Sequence, residues 1–147
     1  MKTTFIGLLF LIAPYINAQE KIRTFQLSDA PRYSEETGYG YDLTDTPEKG
    51  SKAPFFFSVR VPDGNYQVTV RLGNKKQAGV TTVRGESRRL FIDNLATPKG
   101  QFVDETFIIN KRNPRISEKE SVRIKPREKA KLNWDDKLTL EFNGDAP

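Results

Sequence analysis

Tyr66-Gln67-Val68-Thr69-Val70-Arg71-Leu72 places an apolar side chain at every even position and a polar one at every odd position. A period of two is the pattern of a strand with one face in a core and the other in water. Just before it, Phe55, Phe57, Val59 and Val61 alternate with Phe56, Ser58 and Arg60. The two runs are joined by Pro62-Asp63-Gly64-Asn65, where proline presets φ and glycine accepts a positive φ. An antiparallel hairpin over 55–61 and 66–72 is the direct expectation. Tyr66, Val68, Val70 and Leu72 are expected to face the same interior as Phe57, Val59 and Leu140.

Working outward, similar short runs recur at Ile22 to Leu27, Gly79 to Arg84, Arg89 to Ile92, Phe102 to Ile109, Ser121 to Lys125 and Leu138 to Phe142. With the first two they make eight expected strands. Gly, Pro, Asn and Asp separate them, and no segment carries a sustained helical stripe. The regular spacing points to an all-β β-sandwich or jelly roll. Residues 28–54 are the exception, a long polar connection that sets Tyr33, Tyr39 and Tyr41 among Gly38, Gly40 and Gly50. Connections of that length are uncommon unless they carry function or are disordered.

The first residues address the compartment. Lys2, the apolar Phe5 to Ile12, then Pro14, Tyr15 and Ile16, and finally Ile16-Asn17-Ala18 have the order of an export signal, with cleavage expected before Gln19. The apolar stretch is interrupted by Pro14 and falls short of the ~20 residues a spanning helix needs, so no membrane span is expected. Removing 18 of 147 residues leaves 129, the size of one domain over 19–147. Without Lys2 that part carries 23 basic and 19 acidic residues, a mild net charge of +4 that does not point to nucleic acid. Asn143-Gly144-Asp145-Ala146-Pro147 reads as a turn leading onward, so the expectation is a module truncated before a further domain.

Composition excludes more chemistry than it suggests. The sequence has no cysteine, so the module must hold together by packing, without disulfides or thiolate metal sites. It has no histidine either. Ser-His-Asp and Cys-His nucleophile systems need an imidazole to move the proton, and histidine-ligated zinc or iron needs one as a ligand. Carboxylate chemistry is what remains, and Glu35, Glu36, Asp42, Asp135 and Asp136 are the candidates for a small stand-alone hydrolase.

Two clusters are candidates for ligand binding. Sugar rings present apolar C–H faces to aromatic side chains and hydroxyls to polar ones. Tyr33, Tyr39 and Tyr41 suit that need, with Glu35, Glu36 and Asp42 as acceptors; the same tyrosines could instead pin the long connection to the sandwich. Trp134 beside Asp135 and Asp136 makes a sugar platform or a structural calcium corner, or else a core or interdomain plug. Asp135 and Asp136 are adjacent, so on a strand they diverge and make poor partners for paired-carboxylate hydrolysis. Arg88 and Arg89 would alternate faces, the inward one ion-paired with Asp135 or Glu86. From Lys111 to Lys131 there are nine basic and three acidic residues, either a solvated face or an attractor of a polyanion such as galacturonate-containing pectin.

Four segments in order carry a resemblance over nearly the whole of 19–147. They are Tyr33-Ser34-Glu35-Glu36-Thr37-Gly38-Tyr39-Gly40-Tyr41-Asp42, Phe57 to Val70 with its Val61-Pro62-Asp63-Gly64-Asn65-Tyr66, Glu86-Ser87-Arg88-Arg89-Leu90, and Trp134-Asp135-Asp136-Lys137-Leu138-Thr139-Leu140-Glu141-Phe142-Asn143-Gly144. Together they resemble the N-terminal galactose-binding-like domain of bacterial rhamnogalacturonan acetylesterases and related agarases. The resemblance implies a β-sandwich that precedes an SGNH-type esterase domain, whose nucleophile lies in a Gly-Asp-Ser motif and whose base is a histidine. Neither is present: Gly144-Asp145 is followed by Ala146, and Gly85-Glu86-Ser87-Arg88-Arg89 lacks the second glycine of a nucleophile elbow. What the resemblance implies is therefore a non-catalytic accessory module, with pectic polysaccharide or a following esterase domain as partner and no cofactor.

Overall fold

The computed structural model describes residues 22–43, 54–126 and 134–145. The expected export signal over 1–18, part of the long connection, part of the basic stretch and the last two residues lie outside the described residues. Seven strands follow one another among the described residues: β1 (Tyr39–Asp42), β2 (Phe55–Arg60), β3 (Gly64–Gly73), β4 (Gly79–Gly85), β5 (Arg89–Thr97), β6 (Phe102–Lys111) and β7 (Lys137–Asp145). A short 3-10 turn at Leu27–Asp29 precedes them. No helix among the described residues is long and apolar enough to cross a membrane.

All ladders between strands are antiparallel and form two sheets, one of five strands in the order β1-β2-β7-β4-β5, the other the ribbon β3-β6. The two sheets bury a shared core, which makes the protein an all-β sandwich. Phe57, Val83, Ile92, Leu138, Leu140 and Phe142 from the larger sheet meet Val70, Leu72 and Ile109 from the ribbon. Val83 and Ile109 are completely inaccessible to solvent. Phe55 stacks on Phe142 across the β2–β7 ladder at 4.9 Å, and Phe91 of β5 stacks on Phe107 of β6 at 4.4 Å, tying the two sheets together at one side.

The inward set expected from the alternation is the one observed. Val70, Leu72, Phe57 and Leu140 are buried, and Tyr66, Val68 and Val59 pack against them half-buried. The expected hairpin does not form. β2 pairs with β1 and β7, β3 pairs with β6, and Pro62-Asp63 carries the chain around a corner from one sheet to the other. The burial patterns give the reason. β2 is covered on both faces at Phe57 and Ser58, as suits a strand flanked on both sides, whereas β3 keeps strict alternation with an open outer face. Period-two alternation says which side chains go in and leaves the partner strand open.

Two further expectations are corrected. Ile22 to Leu27 enters no ladder and ends in the 3-10 turn; Phe25 instead lays its ring against Tyr39 at 4.9 Å and Phe57 at 5.5 Å. Leu27 and Ala30 also pack on the core, so residues 25–30 cover the inner side of β1 and β2, which the two-stranded ribbon does not serve. Ser121 to Lys125 contributes one isolated bridge, Arg115 to Ser121, because its charged alternation offers little apolar area to bury. Conversely, β1 lies inside the connection read as irregular. Its glycine is required there: Gly40 has φ +144°, and a Cβ would meet the Pro31 carbonyl oxygen at 2.4 Å and the Tyr33 nitrogen at 2.7 Å. Residues 31–33 close the outer edge of β1 through Tyr41 N–H to Pro31 O at 2.9 Å and Tyr33 N–H to Tyr41 O at 2.8 Å.

Candidate functional site

One end of the sandwich gathers the charged residues. The β2–β3 corner, the turn after β4, the loop leaving β6 and the entry to β7 converge there. They leave an open groove of about 410 Å³ lined by Arg60, Val61, Pro62, Asp63, Lys111, Asn113 and Asp136. Lys111 is the residue that local pattern puts in an unusual place. It continues the inward parity of Phe107 and Ile109 along β6, so its side chain enters the end of the core and is only 3% exposed. Its Nζ donates to Asp63 Oδ1 at 2.9 Å, and the Asn113 N–H donates to the same oxygen at 3.0 Å. These bonds hold the Asp63 carboxyl below the usual range, the Lys111 bond contributing most.

Beside Lys111 lie two carboxyls displaced the other way. Glu86, at φ +49° just past β4, extends the ladder with its own side chain: Oε1 accepts the Thr139 N–H at 3.1 Å while its N–H donates to Thr139 O at 3.0 Å. Burial pushes its pKa up to about 7, with the Thr139 bond opposing and nearby Asp135 adding to the rise. Burial also raises Asp135, whose Oδ1 accepts the Lys137 N–H at 2.9 Å.

The opposite wall is built on β2 and the long connection. Arg60 pairs with Glu35 and lies 3.5 Å from Asp136 Oδ2. Lys137 reaches Asp42 Oδ2 at 2.6 Å and lies over the Tyr33 ring at 4.7 Å. Burial pushes the Asp42 carboxyl up, but bonds from Lys137 and Ser58 outweigh it and hold it below its ordinary value. The Tyr33 hydroxyl and the Arg60 Nε are buried without a well-formed hydrogen bond, although the hydroxyl stands beside the guanidinium and favours its charged form.

The expected ligand-binding residues separate into three places. Tyr41 is a core residue, 5% exposed, with its hydroxyl donating to Leu27 O at 2.7 Å, and no face of its ring is left for a sugar. Tyr39 faces the same interior against Phe25, as the period of two along β1 requires. Tyr33 alone of the three reaches the charged end. Trp134 stands at that end too, half-buried at φ +67°, with the exposed Arg112 guanidinium over its ring at 4.7 Å. Asp135 is half-buried between Lys137 and Glu86.

The carboxylates proposed as acid-base groups are mostly committed elsewhere. Asp42 belongs to the Lys137 pair, Glu35 to Arg60, and Glu36 is exposed in the turn before β1. Among the described residues no group of three acids is placed to hold a metal ion. Arg88 is exposed, and Arg89 donates to the Asn110 carbonyl at 2.8 Å in place of the carboxylate expected for it.

Arg60, Asp63, Lys111, Asn113 and Glu86 were missing from the sequence-derived site. Lys111 was within reach, since a lysine at inward parity after Phe107 and Ile109 signals a buried cation. Asp63 was hidden by its role as a turn residue. Comparison with protein-family models, with curated proteins and with solved structures returns no match for this chain.

Proposed function

We propose that the protein is a non-catalytic, carbohydrate-binding accessory module of an exported pectin-acting esterase, built as a galactose-binding-like jelly roll. The observation that carries this reading is the open groove at one loop end of the sandwich, about 410 Å³ and lined by Arg60, Val61, Pro62, Asp63, Lys111, Asn113 and Asp136, which combines charged side chains with apolar surface. Its size lies within the range of small-ligand sites, and its mixture of fixed donors, acceptors and apolar surface suits a ring bearing several hydroxyls. The ordered resemblance of four segments to an esterase-associated domain supplies the class of polymer, and the Lys2 to Ala18 pattern supplies export. The lack of histidine and of a Gly-Asp-Ser motif supports a module without turnover of its own.

One observation favours a carboxylate hydrolase instead: Glu86, raised to about 7 with Asp135 nearby, has the protonation state of a general acid near neutrality. Against it, Glu86 is 5% exposed and its Oε1 is occupied by the Thr139 N–H. Incubation with acetylated and with deacetylated pectin, scoring bound polymer and released product separately, tests both readings. Retained polymer without acetate or new reducing ends is expected. Product formation abolished by Glu86→Gln would replace the binding module with an enzyme.

A further inference from the structure

The charges of the groove are already spoken for. Of its lining residues two are cationic and two anionic, and each cation has an acid in the groove: Lys111 with Asp63 at 2.9 Å, Arg60 with Asp136 at 3.5 Å. Glu35 is a second acid on Arg60, and half-buried Asp135 borders the same end. Among these residues the acids outnumber the cations. A carboxylate entering here would have to draw Lys111 or Arg60 from its partner while approaching Asp136 and Asp63, and like-charge approach is strongly unfavourable.

An alcohol meets no such conflict. Each hydroxyl both donates and accepts, so two neighbouring hydroxyls can bridge an ammonium–carboxylate or guanidinium–carboxylate pair without separating it. Val61 and Pro62 supply apolar surface between the two pairs for the C–H side of a ring. We infer that the groove takes a neutral saccharide through adjacent hydroxyls bridging the Lys111–Asp63 and Arg60–Asp136 pairs, and that it excludes the uronate form of the same sugar. This inference rests on the carbohydrate-binding reading above and narrows it: the basic residues of the protein do not make this groove a polyanion site, and on a pectic chain the ligand is a neutral or esterified stretch.

The test uses one oligomer in two charge states. The full chain is titrated at pH 7 with hexagalacturonate in fully methyl-esterified and in de-esterified form, followed by calorimetry and by amide shifts of Arg60, Val61, Asp63, Lys111, Arg112, Asn113 and Asp136. The esterified hexamer is expected to bind at least about tenfold more tightly, the factor that corresponds to ~1.4 kcal/mol. Asp136→Asn alters a side chain that is 62% exposed, so the fold is retained. It is expected to strengthen binding of the de-esterified hexamer at least about threefold, as removal of a repelling charge requires, and to weaken binding of the esterified one, which loses a charged acceptor for its hydroxyl. Equal or tighter binding of the de-esterified hexamer by the wild-type protein, with shifts at the same amides, would overturn the neutral-ligand inference and leave the carbohydrate-binding reading standing. Binding of neither hexamer would remove both.

Discussion

Val70 and Glu86 show how unevenly single residues could be read from the sequence. Val70 is 9% exposed at an inward position of β3, where alternation placed it. Val70→Asp would bury an unpaired carboxylate at a cost of several kcal/mol, against a total stability of about 5–15 kcal/mol for a domain. Loss of the cooperative thermal transition in circular dichroism is the expected result; a transition near the parent temperature would show that the face is reversed. Glu86 was legible as part of a resembling segment and as an ion-pair candidate for a neighbouring arginine, but its burial was not, because that comes from a side chain standing in for the next rung between β4 and β7. Its carboxyl rises from 4.5 to about 7 in the folded protein. The unfolded state therefore loses its proton first, and stability falls as pH rises from about 4.5 to about 7, then levels off. Glu86→Gln keeps an oxygen for the Thr139 N–H and removes the titration. It should flatten that slope and raise stability at pH 8 by up to ~3 kcal/mol, read from denaturant midpoints at pH 4, 6 and 8. The depressed carboxyls Asp42 and Asp63 act in a separate window, their contribution being lost only as pH falls through the acid range.

Among the elements, those with a strong period of two were readable and those held by tertiary closure were not. β2, β3, β4, β6 and β7 coincide in their centres with the apolar alternations at 55–61, 66–72, 79–84, 102–109 and 138–142. β7 runs on to Asp145 through a stretch that looks like a turn, because Gly144 at φ +124° lets the Val80 carbonyl approach to 2.1 Å from where a Cβ would sit. β1 was illegible because half of its four residues are glycine or aspartate and its stability comes from the 31–33 segment lying against it. Gly40→Ala should therefore act on an element: it forces that segment off β1 at a cost of about 1–3 kcal/mol. Faster hydrogen exchange of the Tyr33 and Tyr41 amides, with β4 and β6 unchanged, is the expected signature. Unchanged exchange at both amides would show that the segment does not depend on this glycine.

At the scale of the whole molecule, the class of fold was legible and the assignment of strands to sheets was not, since β2 and β3 look like neighbours in sequence and lie in different layers. The groove opens at the corner between the layers, lined by Arg60 at the end of β2 and Lys111 at the end of β6. β7 has a consequence for how the molecule comes into being. It lies at the centre of the five-stranded sheet, paired with β2 on one side and β4 on the other. Until residues 137–145 exist, β2 and β4 have no common neighbour and the larger sheet is two fragments. Closure then rests on contacts distant in sequence, so refolding is expected in the millisecond-to-second range, as a stopped-flow fluorescence trace would record; a submillisecond phase carrying the full amplitude would contradict it. During synthesis β7 is the last of the described strands to emerge from the ribosome, so the two fragments of the larger sheet must wait, unjoined, for the strand that locks them.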